Sequence, residues 1–269
     1  MNLDEFFTLF EAELRTNDEL TGYHRMVNSE KLYEFRKAYI KQRMQYVIDS
    51  VTKPSSEIWD LGCGFGTTSI LLTLMGHKVT GTTLEYYYES IAKRLEYWKQ
   101  YGDLSNLSFA YENIFTQKQE ENKFDYVVAK DTLHHLEPFG DAVQIIYKSL
   151  KKGGELIAVE ENGDNLINNI KNFKRRGNKR ITTIYDEKLG QEISFGDENT
   201  RNLETWKKEF SAAPFTFEED SIEYVRYFWP NAYKKYSSED ILNMEKALWR
   251  KSPLKRKYLF FGLNFRVKK

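Results

Sequence analysis

The stretch Glu57-Ile58-Trp59-Asp60-Leu61-Gly62-Cys63-Gly64-Phe65-Gly66-Thr67-Thr68 decides how the chain is read. It spells a short apolar strand, a turn with a glycine at alternate positions, and the start of a helix continuing through Ser69-Ile70-Leu71-Leu72. Glycines at 62, 64 and 66 permit positive φ and leave no Cβ to keep a ligand off the backbone. The helix that follows points its unpaired N–H groups at whatever lies over the turn. A dinucleotide site needs G-x-G-x-x-G, and counting from Gly62 the third glycine position is Thr67. A phosphate loop ends in Gly-Lys-Ser/Thr, and no lysine occurs between Lys53 and Lys78. What the residues spell is D-x-G-x-G-x-G, at Asp60, Gly62, Gly64 and Gly66.

Outward from this turn, strands and helices alternate. Strands are expected at 57–61, 78–84, 107–111, 124–130 and 155–160, with helices at 67–75, 85–101 and 140–151 between them. Phe124-Asp125-Tyr126-Val127-Val128-Ala129-Lys130 is almost continuously apolar, as a central parallel strand is. This spacing implies right-handed crossovers and an α/β, doubly wound, mostly parallel sheet. Two helical stretches precede it: one around Phe6, Phe7, Phe10 and Leu14, the other from about 29 to 51. Beyond strand five, residues 161–200 read as an inserted segment, with a small hairpin at 181–185 and 192–195. A helix at 200–212, a strand at 215–222, a helix at 238–251 and a last strand at 258–267 complete seven strands. The division expected is an N-terminal helical cap over 1–53 and one α/β domain over 54–269, with 161–200 as its lid-like insertion.

Asp60 and its three glycines resemble motif I of the class I S-adenosylmethionine-dependent methyltransferases. Three more matches follow in order: Glu112-Asn113-Ile114, Lys130-Asp131-Thr132-Leu133-His134-His135-Leu136, and Leu150-Lys151-Lys152-Gly153-Gly154. The resemblance implies the Rossmann-like fold, S-adenosyl-L-methionine as cofactor, S-adenosyl-L-homocysteine as product, and an antiparallel closing strand pair. It also implies roles. Asp60 would help hold the cofactor's amino group, with Gly62, Cys63, Gly64 and Gly66 forming the turn around its methionine part. Asn113 and Ile114 would meet the adenine, and Lys130 would open the motif after strand four. The family's ribose-binding acid falls here on Thr83, so the ribose is left to Thr83 and Leu84 or to Glu85 two residues on.

Composition sets outer limits. Forty basic and forty acidic residues cancel among 269, so no global field draws the chain to nucleic acid or an anionic membrane. Cys63 is the only cysteine, which excludes an internal disulfide and a cysteine metal cluster; it reads as a small packing residue. The acidic start Met1-Asn2-Leu3-Asp4-Glu5-Phe6 lacks the pattern of a signal peptide, and no apolar run reaches spanning length, so a cytoplasmic location is expected. With 18 Tyr, 18 Phe and 5 Trp, the chain can line an apolar pocket, which favours a small, partly apolar acceptor: a lipid, quinone or secondary metabolite.

His134 and His135 are the candidate catalytic residues, since they follow strand four and titrate in the useful range. As neighbours they are expected not to face the site together. His24, Tyr185 and the Glu160-Glu161 pair are weaker candidates, and His77 reads as structural. The basic run Lys171–Arg180 reads as a solvated loop, with RNA phosphate or an acidic lipid headgroup as the functional alternatives. Alternatives open at this point are a cyclopropane-forming enzyme of the same fold, an RNA methyltransferase and a non-catalytic scaffold.

Overall fold

The computed structural model describes residues 1–26, 30–84, 86–117 and 119–269. Three helices come first: α1 (Leu3–Leu14), α2 (Asp18–Tyr23) and α3 (Glu30–Ser50). The alternating part holds β1 (Glu57–Leu61), α4 (Thr67–Leu74), β2 (Lys78–Thr83), α5 (Ile91–Trp98), β3 (Leu107–Tyr111), β4 (Phe124–Lys130), α6 (Phe139–Ser149) and β5 (Leu150–Glu161). Then come α7 (Leu166–Arg176), β6 (Ile181–Asp186), β7 (Gln191–Gly196), α8 (Leu203–Phe210), β8 (Thr216–Val225), α9 (Ser238–Lys251), α10 (Pro253–Leu259) and β9 (Gly262–Lys268).

One seven-stranded sheet has the order β3-β2-β1-β4-β5-β9-β8, parallel from β3 to β5, with β9 antiparallel to both β5 and β8. The order reverses between β1 and β4, and at such a switch point the strand ends open a crevice. Apolar side chains of β1 and β4 are fully buried, Trp59, Val127, Val128 and Ala129 among them, so the sheet is covered on both faces. The pair β6–β7 forms a separate hairpin, joined to the main body by a bridge from Phe195 to Leu136.

The N-terminal helices pack as part of the body. Asn2 and Glu5 form a capping box that starts α1, and its Phe6, Phe7 and Phe10 join Phe65, Ile70 and Trp98 in one apolar cluster. Glu13 accepts from Arg94 Nε and Nη2, both at 2.7 Å, and from Trp98 Nε1 at 2.9 Å. Arg94 Nη1 in turn donates to the Phe65 carbonyl, inside the glycine turn, at 2.6 Å. Burial of this ion pair is complete enough that each charge depends on the other.

Several expected elements differ. The long helix after β2 is shorter: a 3-10 turn over Tyr86–Ser90 precedes α5. The last strand begins at Gly262 rather than 258, because Pro253 sits in the first turn of α10, which runs through Leu259. The basic run, read as a loop, belongs mostly to α7. No helix of the described residues is long and apolar enough to cross a membrane.

Candidate active site

The ends of β1, β2 and β4 meet α2, α3 and the β6–β7 hairpin around a cavity of about 550 Å³. This lies in the range of small-molecule and cofactor sites.

At the glycine end the wall is backbone. Gly62, Gly64 and Gly66 all take positive φ, at 73°, 54° and 72°. A Cβ on Gly62 would stand 2.2 Å from Thr132 Oγ1, and one on Gly66 would stand 2.7 Å from Phe109 Cζ. Glycine is required at both, once for the approach of the post-β4 turn and once for a ring of β3. The Gly62 and Cys63 N–H groups donate to the Thr82 carbonyl, each at 2.9 Å, which pins the turn to the end of β2. Leu61, Gly62 and Gly64 line the cavity.

Asp60 sits behind the turn, outside the residues that line the cavity. It is buried and accepts from Ser69 Oγ at 2.5 Å, so its carboxylate clamps β1 to α4 and does not form the cavity wall. The hydroxyl comes from the first turn of α4. Burial pushes the Asp60 carboxyl above its usual range. The Cys63 thiol is also pushed well up, chiefly by burial and then by Asp60, so it stays protonated and behaves as a packing residue.

Along the strand ends, Thr83, Leu84, Glu112, Asn113 and Ile114 line the cavity. Asn113 Oδ1 accepts from Phe115 N at 3.1 Å, which fixes its amide. Lys130 Nζ donates to Thr68 Oγ1 at 3.0 Å, and burial followed by Arg43 lowers its pKa. Glu85 lies outside the described residues.

At the other end the wall is made of charged side chains. Asp131, at φ 54°, pairs with Arg43 of α3 at 2.5 Å; burial would raise its carboxyl, and Arg43 holds it below the usual range. Arg43 Nη2 also donates to the Val159 carbonyl. Glu160 binds the following turn: its Oε1 accepts from Thr132 N at 3.0 Å and Leu133 N at 2.7 Å, and its Oε2 accepts from His134 Nδ1 at 2.5 Å. Arg226 approaches Glu161 to 3.6 Å and lies over the Tyr39 ring. Arg36, Tyr39, Arg226 and Glu161 all line the cavity.

Both histidines line this cavity, their rings 4.0 Å apart. The expectation that only one could face it assumed an extended chain. Leu133–His135 is instead a 3-10 turn, where consecutive side chains do not point to opposite faces. Their environments separate them. Burial alone would lower His134, but the Glu160 carboxylate outweighs it and raises the imidazole to about 9. His135 is lowered by burial and then by the charge of His134. Its Nδ1–H donates to the Gly196 carbonyl at 2.7 Å, leaving Nε2 as the lone-pair nitrogen of a neutral ring stacked on Phe195.

His24 lines the cavity beside Thr67, its pKa well below the ordinary value through burial. Tyr185 is 65% exposed and outside the cavity lining. His77 accepts from Ser56 N, away from the cavity. Sequence reasoning missed Arg43, Arg36, Tyr39 and Arg226, which no local motif marks. Among the described residues, no cluster of His, Cys, Asp and Glu could hold a metal ion.

A methyltransferase-domain family model matches residues 52–212, more than half of the chain. The chain belongs to this family. The matched segment is a methyltransferase domain. A demethylmenaquinone methyltransferase from Oceanobacillus iheyensis is 32% identical over 111 residues, covering 40% of this chain and 45% of that protein. The chain spans less than half the length of the curated relatives it matches. The Burkholderia thailandensis 1,6-didemethyltoxoflavin-N1-methyltransferase, solved with 1,6-didemethyltoxoflavin and S-adenosylhomocysteine, superposes with a TM-score of 0.54 at 13% identity, covering all of this chain and 91% of that one. Haemonchus contortus phosphoethanolamine N-methyltransferase 2 gives 0.55 at 17%, covering 84% of this enzyme and 51% of that chain. At these identities the superpositions speak for the fold alone. Gly62 and Gly64 line the cavity with positive-φ backbone beside the end of β2, the kind of surface a small-molecule ligand can approach closely.

Proposed function

We propose that the enzyme methylates a small, partly apolar acceptor bound between α3, the turn after β4 and the β6–β7 hairpin. The observation that carries this reading is the mixed lining of one cavity. Ile184, Ile193 and Phe195 of the hairpin supply apolar surface, while Arg36, Tyr39 and Arg226 supply polar anchors. The names of two similar proteins, for demethylmenaquinone and for 1,6-didemethyltoxoflavin, agree with an acceptor of this kind.

When bound, S-adenosylmethionine supplies a sulfonium methyl open to in-line displacement. The chain's residues do the rest. The Gly62 and Gly64 backbone would hold the cofactor's methionine part, Thr83 and Leu84 or Glu85 would hold the ribose, and Asn113 with Ile114 would receive the adenine. Asp60, Cys63, Gly66 and Lys130 act on the cofactor through the shape and field of the turn. The two histidines divide the acceptor chemistry, because their environments push their pKa values apart. His134 is an imidazolium at neutral pH and hydrogen-bonds an electron-rich atom of the acceptor. His135 is neutral and takes a proton at Nε2 where the acceptor has one to lose. The hairpin keeps water from the reacting atoms.

The test is incubation with trideuteriomethyl cofactor and fractionated cell extract. Label is expected in the small-molecule or lipid fraction with all three deuteriums retained. Retention of two deuteriums would indicate cyclopropane formation. Label in RNA would overturn the small-acceptor reading. Calorimetry with S-adenosylhomocysteine addresses the scaffold alternative, for which no binding is expected.

A further inference from the structure

Residues 166–185 contain six Lys and Arg and no Asp or Glu, within a chain of balanced charge. Most of these cations belong to α7, which Asn165 caps and Gly177 ends. This helix is turned inside out. Its asparagines face the protein: Asn172 is buried, Asn168 Nδ2 donates to Glu161, and Asn169 Nδ2 donates to the Gly163 carbonyl. Leu166, Ile167, Ile170 and Phe173 are 50%, 40%, 58% and 60% exposed. Residues 166, 170 and 173 stack along one stripe, with 167 at its edge. A surface helix of a globular protein normally directs that stripe to the core. The inverted arrangement has a cost, since Asn172 Nδ2 and Arg176 Nε are buried without hydrogen-bond partners. Lys171 and Lys174, both exposed, flank the stripe. The neighbouring α10 contacts α7 and exposes Leu254 to 73%.

We propose that α7 docks the enzyme on the surface of an anionic lipid bilayer. The apolar stripe enters the boundary between headgroups and acyl chains, and the flanking lysines meet the headgroup charge. Charge and apolarity together select this occupant. Two copies of the helix face to face would oppose their cations. Nucleic acid would match the lysines and leave four large apolar side chains against phosphate and water. The docked helix adjoins the cavity: Arg175 pairs with Asp197 at 2.6 Å, Arg176 Nη2 donates to the Glu198 carbonyl, and Glu198 lines the cavity. A bilayer-borne acceptor then enters without crossing water. That last step rests on the apolar-acceptor reading, whereas docking does not.

The experiment is flotation of the full-length protein with phosphatidylcholine vesicles, with and without phosphatidylglycerol. Binding is expected only with the anionic lipid, weakening with salt. Ile170→Glu with Phe173→Glu should abolish it, and Lys171→Gln or Lys174→Gln should each weaken it about fivefold. No flotation, or flotation unchanged in these variants, overturns the proposal. So does a dimer that the Glu pair dissociates, which gives the face to a second copy, or RNA retention lost in the lysine variants. S-adenosylhomocysteine affinity should stay unchanged throughout, which separates failure of docking from failure of the methyltransferase reading. Should the Glu pair fold poorly, the lysine variants alone decide.

Discussion

The cavity is walled by backbone at one end and by side chains at the other. Around Gly62–Gly66 the shape comes from positive φ angles and from N–H groups bound to Thr82, within one short run of chain. Around His134 it comes from charges brought together over long separations: Arg43 to Asp131, Glu160 to His134, Arg226 to Glu161. A backbone wall suits a ligand that never changes. A wall of side chains can be altered one residue at a time, which suits the acceptor.

The sharpest test of this contrast is Gly62→Val. Its side chain would meet Thr132, and φ 73° would cost about 1–3 kcal/mol in strain. S-adenosylhomocysteine affinity is expected to fall at least about 100-fold, an interaction loss of roughly 3 kcal/mol. Near-normal affinity by calorimetry would break the idea that backbone holds this end.

Glu160→Gln should act on the other end. With its charge removed, burial dominates, and the His134 midpoint, about 9 in the parent, should drop below the ordinary value. Turnover at neutral pH is expected to fall about 100-fold, within the range for positioned acid–base groups, with cofactor affinity kept. The sign of the stability change follows from the raised pKa. The His134–Glu160 contribution is complete below an unfolded value of about 6.5. It is lost as pH rises through about 9. The gap in stability between parent and variant should therefore narrow over that window. Resonance titration of His134 and denaturation at several pH values measure both, and a constant gap would contradict the assignment.

His135→Gln should lower kcat about 10-fold or more with little change in KM if the acceptor must lose a proton. In the parent, kcat should decline toward acid as the lowered His135 pKa is crossed. A flat profile with unchanged kcat would leave His135 as packing against Phe195. The smallest effect expected is Thr83→Ala, about two- to fivefold in cofactor affinity for the loss of one hydroxyl contact. A much larger loss would put Thr83 at the centre of ribose binding.

These two ends also differ in how far they were legible. The glycine turn, the exact bounds of β1, β3 and β4, and the sheet class follow from local pattern, because strand period and glycine spacing are short-range properties. Asp60 was visible as a motif residue, yet its engagement by Ser69 depends on a helix turn that only the fold supplies. Both histidines were visible, but the opposite shifts of their pKa values depend on Glu160, twenty-six residues away. Arg43, Arg36 and Arg226 carry no signature at all, since a cation on a helix face usually faces water. For α7, the basic residues drew attention away from the apolar period running between them.

Arg94 links the two ends of the chain's first hundred residues. One guanidinium holds both the Glu13 carboxylate of α1 and the Phe65 carbonyl of the glycine turn. Whatever stabilises that turn must, by reciprocity, stabilise the docked α1. Amide exchange in α1 should slow when S-adenosylhomocysteine binds, although none of its side chains lines the cavity. The first helix thereby serves as a reporter of cofactor occupancy, read at the opposite side of a buried salt bridge.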